Sequence, residues 1–125
     1  MPPYKQILAV DDEEQILKFI VTVLERAGYS VSSTSDPQMG LVLVQEGIFD
    51  LVITDRQMPG MRGEELAMRV REFDPTLPVL MITGTGHQMN AAGICLLGVD
   101  AVLGKPVTRT ELLDTVQQLL RSTPA

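Results

Sequence analysis

The stretch LVITDRQMPGMRG, from Leu51 to Gly63, carries the pattern that decides the fold. It opens with a continuous strand-like run, LVIT, which is typical of a strand buried on both faces. The run ends at one carboxylate, Asp55, and a Met-Pro-Gly turn at 58–60 follows almost at once. The sequence therefore predicts a buried strand that presents an aspartate at its carboxyl end and then gives way to an open turn.

The same change of period repeats along the whole chain, between short apolar runs and amphipathic helical stretches. One run, at 29–33, alternates apolar and polar residues as an edge strand does. The predicted strands are Ile7–Val10, Tyr29–Ser33, Leu51–Thr54, Val79–Thr83 and Ala101–Leu103. The first predicted helix follows Asp12, and the second opens at Asp36-Pro37 and stops near Gly47. The others run from about Gly63 to Phe73, span about His87 to Leu97, and open at Thr108.

Several helix boundaries carry their own signals. Gly28 stands where a glycine would end the first helix. Asp36 and Pro37 are typical of an N-cap and a first helical residue, and Thr108 and Glu111 are spaced as a capping box. Five strand–helix units with continuously apolar strands predict a parallel sheet covered on both faces. Right-handed crossovers then make it a doubly wound α/β sandwich.

Composition narrows the class of protein. The 125 residues are 45% hydrophobic and 21% charged, as in a soluble domain, and we expect residues 1–125 to form one domain. The formal net charge of −6, without any Lys/Arg run, argues against binding to nucleic acid. We expect a cytoplasmic location without membrane association, because there is neither a signal peptide nor an apolar run approaching ~20 residues. The single cysteine, Cys95, excludes an internal disulfide.

Chemically active side chains follow four of the predicted strands. Asp11 and Asp12 follow the first strand, Asp55 the third, Thr83 ends the fourth, and Lys105 comes shortly after the fifth. Each residue alone has an ordinary structural explanation, such as a helix N-cap or the start of a turn. Because the carboxyl ends of parallel strands meet at one edge, where ligands bind in folds of this class, we expect the five side chains to form one site.

The residue types in this site indicate its chemistry. Three carboxylates held close together repel one another, and a divalent cation relieves that repulsion. Oxygen ligands without His or Cys favour Mg²⁺, Mn²⁺ or Ca²⁺, and a sparse site with room for water and a phosphoryl oxygen favours Mg²⁺. A carboxylate beside such an ion can attack phosphorus and form an aspartyl phosphate. Lys105 and Thr83 could then hold the phosphoryl oxygens by charge and by hydroxyl donation.

Together these residues resemble the receiver domain of two-component response regulators, over roughly Lys5 to Leu120. The matching positions are Asp11-Asp12, Asp55 within DRQMPGMRG, Thr83-Gly84 and Lys105-Pro106. The resemblance implies a single receiver domain with a flavodoxin-like sheet of strand order 2-1-3-4-5 between five helices. It also implies a phosphorylation-controlled signalling switch rather than an enzyme.

The resemblance assigns roles around the expected metal and phosphoryl acceptor. Asp55 would accept the phosphoryl group from a histidine kinase or a histidine phosphotransfer domain, in a reaction that requires Mg²⁺. Asp12, Asp55 and the backbone carbonyl of Gln57 would ligate the ion, while Asp11 would act mainly through a metal-bound water.

The resemblance also implies how the phosphoryl group would be held and sensed. Lys105 would pair with it, Thr83 would reorient to donate its hydroxyl, and the Lys105–Pro106 bond would be cis. Phosphorylation would re-pack the face formed by helix 4, strand 5 and helix 5, where a homodimer would also form. The family usually carries an aromatic residue three positions before the lysine, but here that residue is Val102. We therefore expect the phosphoryl chemistry to persist and its conformational readout to differ.

The first helix suggests a docking surface for the phosphoryl donor. Leu17 and Val21 fall outside the core-facing stripe that the helical period predicts. Because this helix adjoins the acidic site, we hypothesise that the two residues contact the four-helix domain that carries the donor histidine.

Other functions fit parts of the pattern. A Mg²⁺-dependent phosphatase or phosphotransferase would also place an aspartate after a strand, but such enzymes commonly carry a second aspartate where Gln57 stands. A degenerate receiver that serves only as an interaction module remains an alternative because of Val102. The chain would be a stand-alone regulator or a piece of a longer protein such as a hybrid histidine kinase. His87 is predicted to face solvent, and Cys95 to be a small buried apolar residue.

Overall fold

The computed structural model describes residues 4–84 and 98–122. Five strands form one sheet in the order β2-β1-β3-β4-β5, and every neighbouring pair is parallel. The strands are β1 (Gln6–Val10), β2 (Ser30–Thr34), β3 (Leu51–Asp55), β4 (Val79–Thr83) and β5 (Ala101–Gly104). The predicted doubly wound parallel sheet and its strand order are thereby confirmed, with β2 at an edge as its alternating sequence predicted.

Four helices are present among the described residues. They are α1 (Glu14–Arg26), α2 (Pro37–Val44), α3 (Gly63–Phe73) and α4 (Arg109–Ser122), the last being the fifth helix predicted from the sequence. The helix predicted over 87–97, which would contain His87 and Cys95, lies outside the described residues. Across the part of the chain that is described, no helix has both the length and the apolar character required to cross a membrane.

The core forms two layers, one on each face of the sheet, because successive strand residues point to opposite faces. In β1, Leu8 and Val10 belong to the layer covered by α2 and α3. Ile7 and Ala9 belong to the layer covered by α1 and α4. All five residues of β3 and of β4 are buried, so the central strands carry helices on both sides. This packing fixes the carboxyl ends of the strands at one edge.

The helix boundaries follow the predicted local chemistry. Gly28 has a φ of 98°, as a glycine that ends a helix in the left-handed conformation requires. Asp36 Oδ1 accepts a hydrogen bond from the N–H of Gln38 at 2.9 Å, which caps α2. The capping box is confirmed, since Thr108 Oγ1 accepts from the N–H of Glu111 and Glu111 Oε1 accepts from the N–H of Thr108, both at 3.1 Å.

The prediction that Leu17 lies off the core face is wrong. Leu17 is only 9% exposed and belongs to the same buried cluster as Ile20, while Val21 is half-buried. The physical reason is that α1 packs against α4 as well as against the sheet, so its buried stripe is wider than one facing the sheet alone. A docking surface for a phosphoryl donor therefore cannot use Leu17.

Candidate functional site

The three predicted carboxylates meet at the carboxyl edge of the sheet. Asp11 follows β1 directly and Asp55 is the last residue of β3, the strand beside it. With Asp12, they bring carboxylate oxygens to within 4.8 Å of one another. Asp11 and Asp55 are only 1% and 5% exposed, whereas Asp12 is exposed to solvent. Two carboxylates of the cluster are therefore buried, and the third is accessible to solvent.

Lys105 brings a cation to the same edge. Its Nζ lies 3.3 Å from Asp55 Oδ1 and 3.8 Å from Asp11 Oδ2. The loop that carries it is fastened to β4, because the N–H of Lys105 donates to the carbonyl of Thr83 at 2.9 Å. The peptide bond from Lys105 to Pro106 is cis, as the sequence comparison with the receiver family implied.

The site contains more negative than positive charge. Lys105 Nζ lies near the carboxylates of Asp11, Glu13 and Asp55. Arg56, the next cation along the chain from Asp55, lies 3.5 Å from Glu64 instead. Burial raises the pKa of Asp11 to about 6, the hydrogen bond from the N–H of Glu13 opposes this, and the nearby charge of Asp55 adds to the rise. The pKa of Lys105 is also raised: burial alone would lower it, but a hydrogen bond to Glu13 and the neighbouring carboxylates outweigh burial.

A divalent cation fits this arrangement. Asp11 Oδ2 is buried and has no hydrogen-bond partner among residues 4–84 and 98–122. Its nearest cationic neighbour, Lys105 Nζ, is at 3.8 Å, too far for a hydrogen bond. A buried carboxylate oxygen without a partner is costly, and a hard ion with oxygen ligands would satisfy it. The all-carboxylate donor set of the cluster suits Mg²⁺.

The backbone around Asp55 is held rigidly. Asp55 Oδ1 accepts a hydrogen bond from the N–H of Arg56 at 2.7 Å, and the buried hydroxyl of Thr54 donates to the carbonyl of Asp55 at 2.9 Å. The N–H of Gly63, at the start of α3, donates to the carbonyl of Arg56 at 2.7 Å. These contacts fix both the main chain and one carboxylate oxygen of Asp55.

Gly63 is required by close packing against this segment. A Cβ at this position would overlap the carbonyl oxygen of Asp55 and would lie 2.9 Å from the Cα of Arg56. Real Cβ atoms do not approach backbone atoms so closely, so only glycine lets α3 begin directly against the end of β3. The last residue of the opening motif therefore serves to position Asp55.

The turn after Asp55 is anchored in the core. Met58 and Met61 are 7% and 4% exposed and anchor the loop in the core. Gly60 has a φ of 85°, as the third position of a type II turn with proline before it requires. Gln57 lies exposed between Asp55 and this turn.

Thr83 and Val102 lie on the neighbouring strands. Thr83 ends β4, next to β3, and is only 4% exposed. Val102 is half-buried, pairs with Met81 in the β4–β5 register, and packs against the core layer under α2 and α3. The predicted hydroxyl is thus placed at the correct edge, and the position of the usual aromatic residue holds a small side chain in contact with the core.

One residue of the site was missed from the sequence. Glu13 Oε1 accepts a hydrogen bond from Lys105 Nζ at 2.7 Å, which is the shortest contact that the ammonium group makes among the described residues. Glu13 directly follows the aspartate pair, but its partner is 92 positions away along the chain. Adjacency to Asp12 was the only available signal, and it does not identify a partner.

Comparisons with known proteins identify the family and agree with the fold. A family model described as the response regulator receiver domain matches residues 7–117. The response regulator receiver protein CpdR of Brucella abortus is 36% identical over 121 residues, covering 93% of this chain and 97% of that protein. A receiver domain protein from Methanospirillum hungatei, described as CheY-like, superimposes with a TM-score of 0.87 at 31% identity, covering 96% of both chains.

Other relatives are longer than this chain. The phosphate regulon transcriptional regulatory protein PhoB of Pseudomonas aeruginosa is 33% identical over 121 residues, which cover 95% of this chain and 53% of PhoB. The chain therefore spans about half the length of PhoB and almost the full length of CpdR. Since the family model covers most of the sequence and a solved receiver domain shares the fold over 96% of the chain, the chain belongs to the receiver domain family of two-component response regulators, whose members act as signalling switches.

Proposed function

We propose that Asp55 accepts a phosphoryl group from a histidine kinase or a histidine phosphotransfer domain, in a reaction that depends on Mg²⁺. The observation that carries the proposal is the convergence of three carboxylates within 4.8 Å, with Lys105 Nζ 3.3 Å from Asp55 Oδ1. A structural role does not explain this convergence, because two of the carboxylates, Asp11 and Asp55, are buried like charges with Lys105 between them, which opposes folding. The same group of charges suits transfer of a phosphoryl group.

The proposed reaction forms one bond and breaks another at phosphorus. A carboxylate oxygen of Asp55 attacks, the bond between phosphorus and the imidazole nitrogen of the donor breaks, and its electron pair leaves with the imidazole. Asp55 is positioned for attack by its hydrogen bond from the Arg56 N–H and by the close packing of Gly63. Mg²⁺ would neutralise charge on the transferring oxygens when bound.

The other residues of the site have distinct proposed roles. Asp12 and Asp55 would ligate the ion directly together with the carbonyl of Gln57, and Asp11 would act mainly through a metal-bound water. Lys105 would pair with a phosphoryl oxygen, because its ammonium group lies close to Asp55. Thr83, buried at the end of the adjacent strand, would donate its hydroxyl to another oxygen. These assignments make the same edge both the binding site and the sensor.

The proposed response is a change at the face formed by the helix predicted over 87–97, β5 and α4. The change would begin at Thr83, because its carbonyl already accepts a hydrogen bond from the N–H of Lys105. Val102 would transmit the change by packing rather than by rotation of an aromatic ring, because it contacts the core layer under α2 and α3. We also propose that any homodimer would form through this face.

The proposal extends to the organisation of the chain. Residues 1–125 would form a single receiver domain with a core at about 5–120, supported by the family match at 7–117. Its partner would be the phosphoryl donor, with no direct contact to nucleic acid by this chain, which has a net charge of −6. We also propose a cytoplasmic location for the chain.

Intact-mass spectrometry tests the phosphoryl transfer. The protein is incubated with acetyl phosphate, with and without Mg²⁺, alongside Asp55→Asn and Asp50→Asn. We expect Mg²⁺-dependent addition of one phosphoryl group to the wild type and to Asp50→Asn, because Asp50 binds the backbone of Gln6 away from the site. We expect none in Asp55→Asn. Equal modification of Asp55→Asn would contradict the proposal.

A further inference from the structure

The ammonium group of Lys105 is shared unequally among its neighbours. Its Nζ donates to Glu13 Oε1 at 2.7 Å, and lies 3.3 Å from Asp55 Oδ1 and 3.8 Å from Asp11 Oδ2. The closest partner is thus an acidic residue outside the three carboxylates that could hold the ion. The side chain of Glu13 is 57% exposed, whereas that of Lys105 is 19% exposed and that of Asp55 is 6% exposed. The hydrogen bond therefore draws Lys105 toward solvent.

Glu13 has no competing structural role for its carboxylate. It is the N-cap residue of α1, but its side chain makes no capping hydrogen bond. Its backbone is fixed at both sides, because its N–H donates to Asp11 Oδ1 at 2.9 Å and its carbonyl accepts from the N–H of Leu17 at 3.1 Å. The main chain thus presents the carboxylate toward Lys105, and the side chain can be altered without removing a cap.

We propose that Glu13 is a positioning residue, which holds Lys105 in the unphosphorylated chain and releases it to the phosphoryl group on Asp55. This inference rests on the function proposed above. A phosphoryl group on Asp55 adds negative charge and acceptor oxygens beside an ammonium group that is already 3.3 Å away. The pair with Glu13 is weak because Glu13 is largely in water, so Lys105 can exchange partners at little cost.

The proposal makes Glu13 a competitor of the phosphoryl group. In the resting chain it would keep Lys105 from pairing fully with Asp55. Removing it should therefore favour any phosphoryl-like ligand that needs Lys105. A partly exposed ion pair contributes up to about 1 kcal/mol, which corresponds to an affinity change of up to roughly fivefold.

Beryllofluoride at saturating Mg²⁺ is the probe, and its affinity is measured by amide NMR titration. Glu13→Ala should bind it about two- to fivefold more tightly than the wild type. Glu14→Ala is the matched control, because this substitution removes the same charge from the same end of α1. Glu14 is exposed and makes no ion pair with Lys105. Glu14→Ala should change the affinity less than about 1.5-fold. Equal effects of the two variants would overturn the inference.

The side-chain ¹⁵Nζ resonance of Lys105 supplies a second readout that a merely structural role would not move. Glu13→Ala should shift this resonance in the free protein, because the hydrogen bond is lost. With beryllofluoride bound, the wild type and Glu13→Ala should give the same resonance, because Lys105 has left Glu13 in both. A difference that persists in the bound state would contradict the exchange of partners.

Two further outcomes distinguish this inference from an effect on Mg²⁺ binding and from failure of the proposed phosphoacceptor function. If Glu13→Ala changes the affinity for Mg²⁺ alone by the same factor, Glu13 acts through the ion and the inference is wrong. If the wild type binds no beryllofluoride at all, the proposed phosphoacceptor function fails and the inference falls with it. Normal binding by the wild type with no change in Glu13→Ala refutes only the role of Glu13.

Discussion

The two edges of the sheet use aspartates in opposite ways. At the amino edge, Asp50 precedes β3 and exchanges two hydrogen bonds with the backbone of Gln6 on β1, at 2.7 and 2.8 Å. Asp100 precedes β5 and makes the same exchange with Val79 on β4, at 2.9 and 2.8 Å. Each aspartate at this edge therefore satisfies the first N–H of a neighbouring strand.

The balance of charges also differs between the edges. Asp100 Oδ2 accepts from the guanidinium of Arg71 at 2.8 Å, and Arg71 Nε donates to the carbonyl of Gly98 at 2.7 Å, so one cation serves one carboxylate. At the carboxyl edge the carboxylates of Asp11, Glu13 and Asp55 all lie within 3.8 Å of Lys105 Nζ. Asp11 Oδ2 has no hydrogen-bond partner among the described residues.

The same residue type therefore stabilises one edge and destabilises the other. Hydrogen bonds to a charged group contribute about 1.5–3 kcal/mol, so the aspartates of the amino edge support the fold. Close like charges with an unpartnered oxygen lower stability, so the cluster of the carboxyl edge is explained by function.

The largest effect is expected at Gly63, which positions the carboxyl edge. In Gly63→Ala the new Cβ would overlap the carbonyl oxygen of Asp55, and we expect the free energy of unfolding to fall by at least about 3 kcal/mol. Gly84→Ala is the control, since Gly84 has open space for a Cβ and should change stability by less than about 0.5 kcal/mol. Urea unfolding measures both. Similar losses in the two variants would show that packing at Gly63 is not special.

The next effect is expected at the amino edge. Asp100→Ala should lower the free energy of unfolding by about 2.5 kcal/mol, because it leaves the Val79 N–H and the Nη2 group of Arg71 without their acceptor. Asp12→Ala, an exposed aspartate at the opposite edge, should change it by less than about 0.5 kcal/mol. The contrast between the edges would be wrong if Asp12→Ala were the more destabilised variant in the same unfolding measurement.

The third effect is a pH dependence that originates at Asp11. Its pKa is raised from 3.8 to about 6, so between these values the folded protein holds a proton that the unfolded chain has lost. The free energy of unfolding of the metal-free protein should therefore fall as pH rises from about 4 to about 6, by about 2 kcal/mol.

Asp11→Asn isolates this contribution. The amide oxygen of the variant can still accept from the N–H of Glu13, but it does not ionise. The variant should match the wild type near pH 4 and be about 2 kcal/mol more stable at pH 7.5, in urea unfolding with a chelator present. Parallel pH profiles for the two proteins would show that Asp11 does not carry the effect.

Much of this architecture could be predicted from local sequence. The bounds of β4 and α3 match the prediction, because a continuous apolar run defines β4, and Gly63 and Asp74 delimit α3. The convergence of Asp11, Asp12 and Asp55 was predicted because parallel strands must end at one edge. The predicted end of α2 near Gly47 was too late, since regular helix stops at Val44 and Gly47, with a φ of 76°, closes the turn after it.

The parts that could not be predicted depend on partners far apart in the chain. The bond from Lys105 to Glu13 spans 92 positions, and that from Val79 to Asp100 spans 21. Local patterns place residues on strands and helices, but they do not identify which carboxylate a distant donor will reach. The burial of Leu17 was missed for the same reason, because it depends on the packing of α4 against α1.

The most direct test of the contrast is the response of stability to Mg²⁺. We expect Mg²⁺ at ten times its Kd to raise the free energy of unfolding of the wild type by about 1.4 kcal/mol, because the ion would bind only the folded carboxyl edge. Asp100→Asn should gain the same amount, and Asp12→Asn less than about a third of it, in parallel urea unfolding curves. An equal gain in Asp12→Asn and Asp100→Asn would contradict the claim that the carboxyl edge is the metal-dependent phosphoacceptor site.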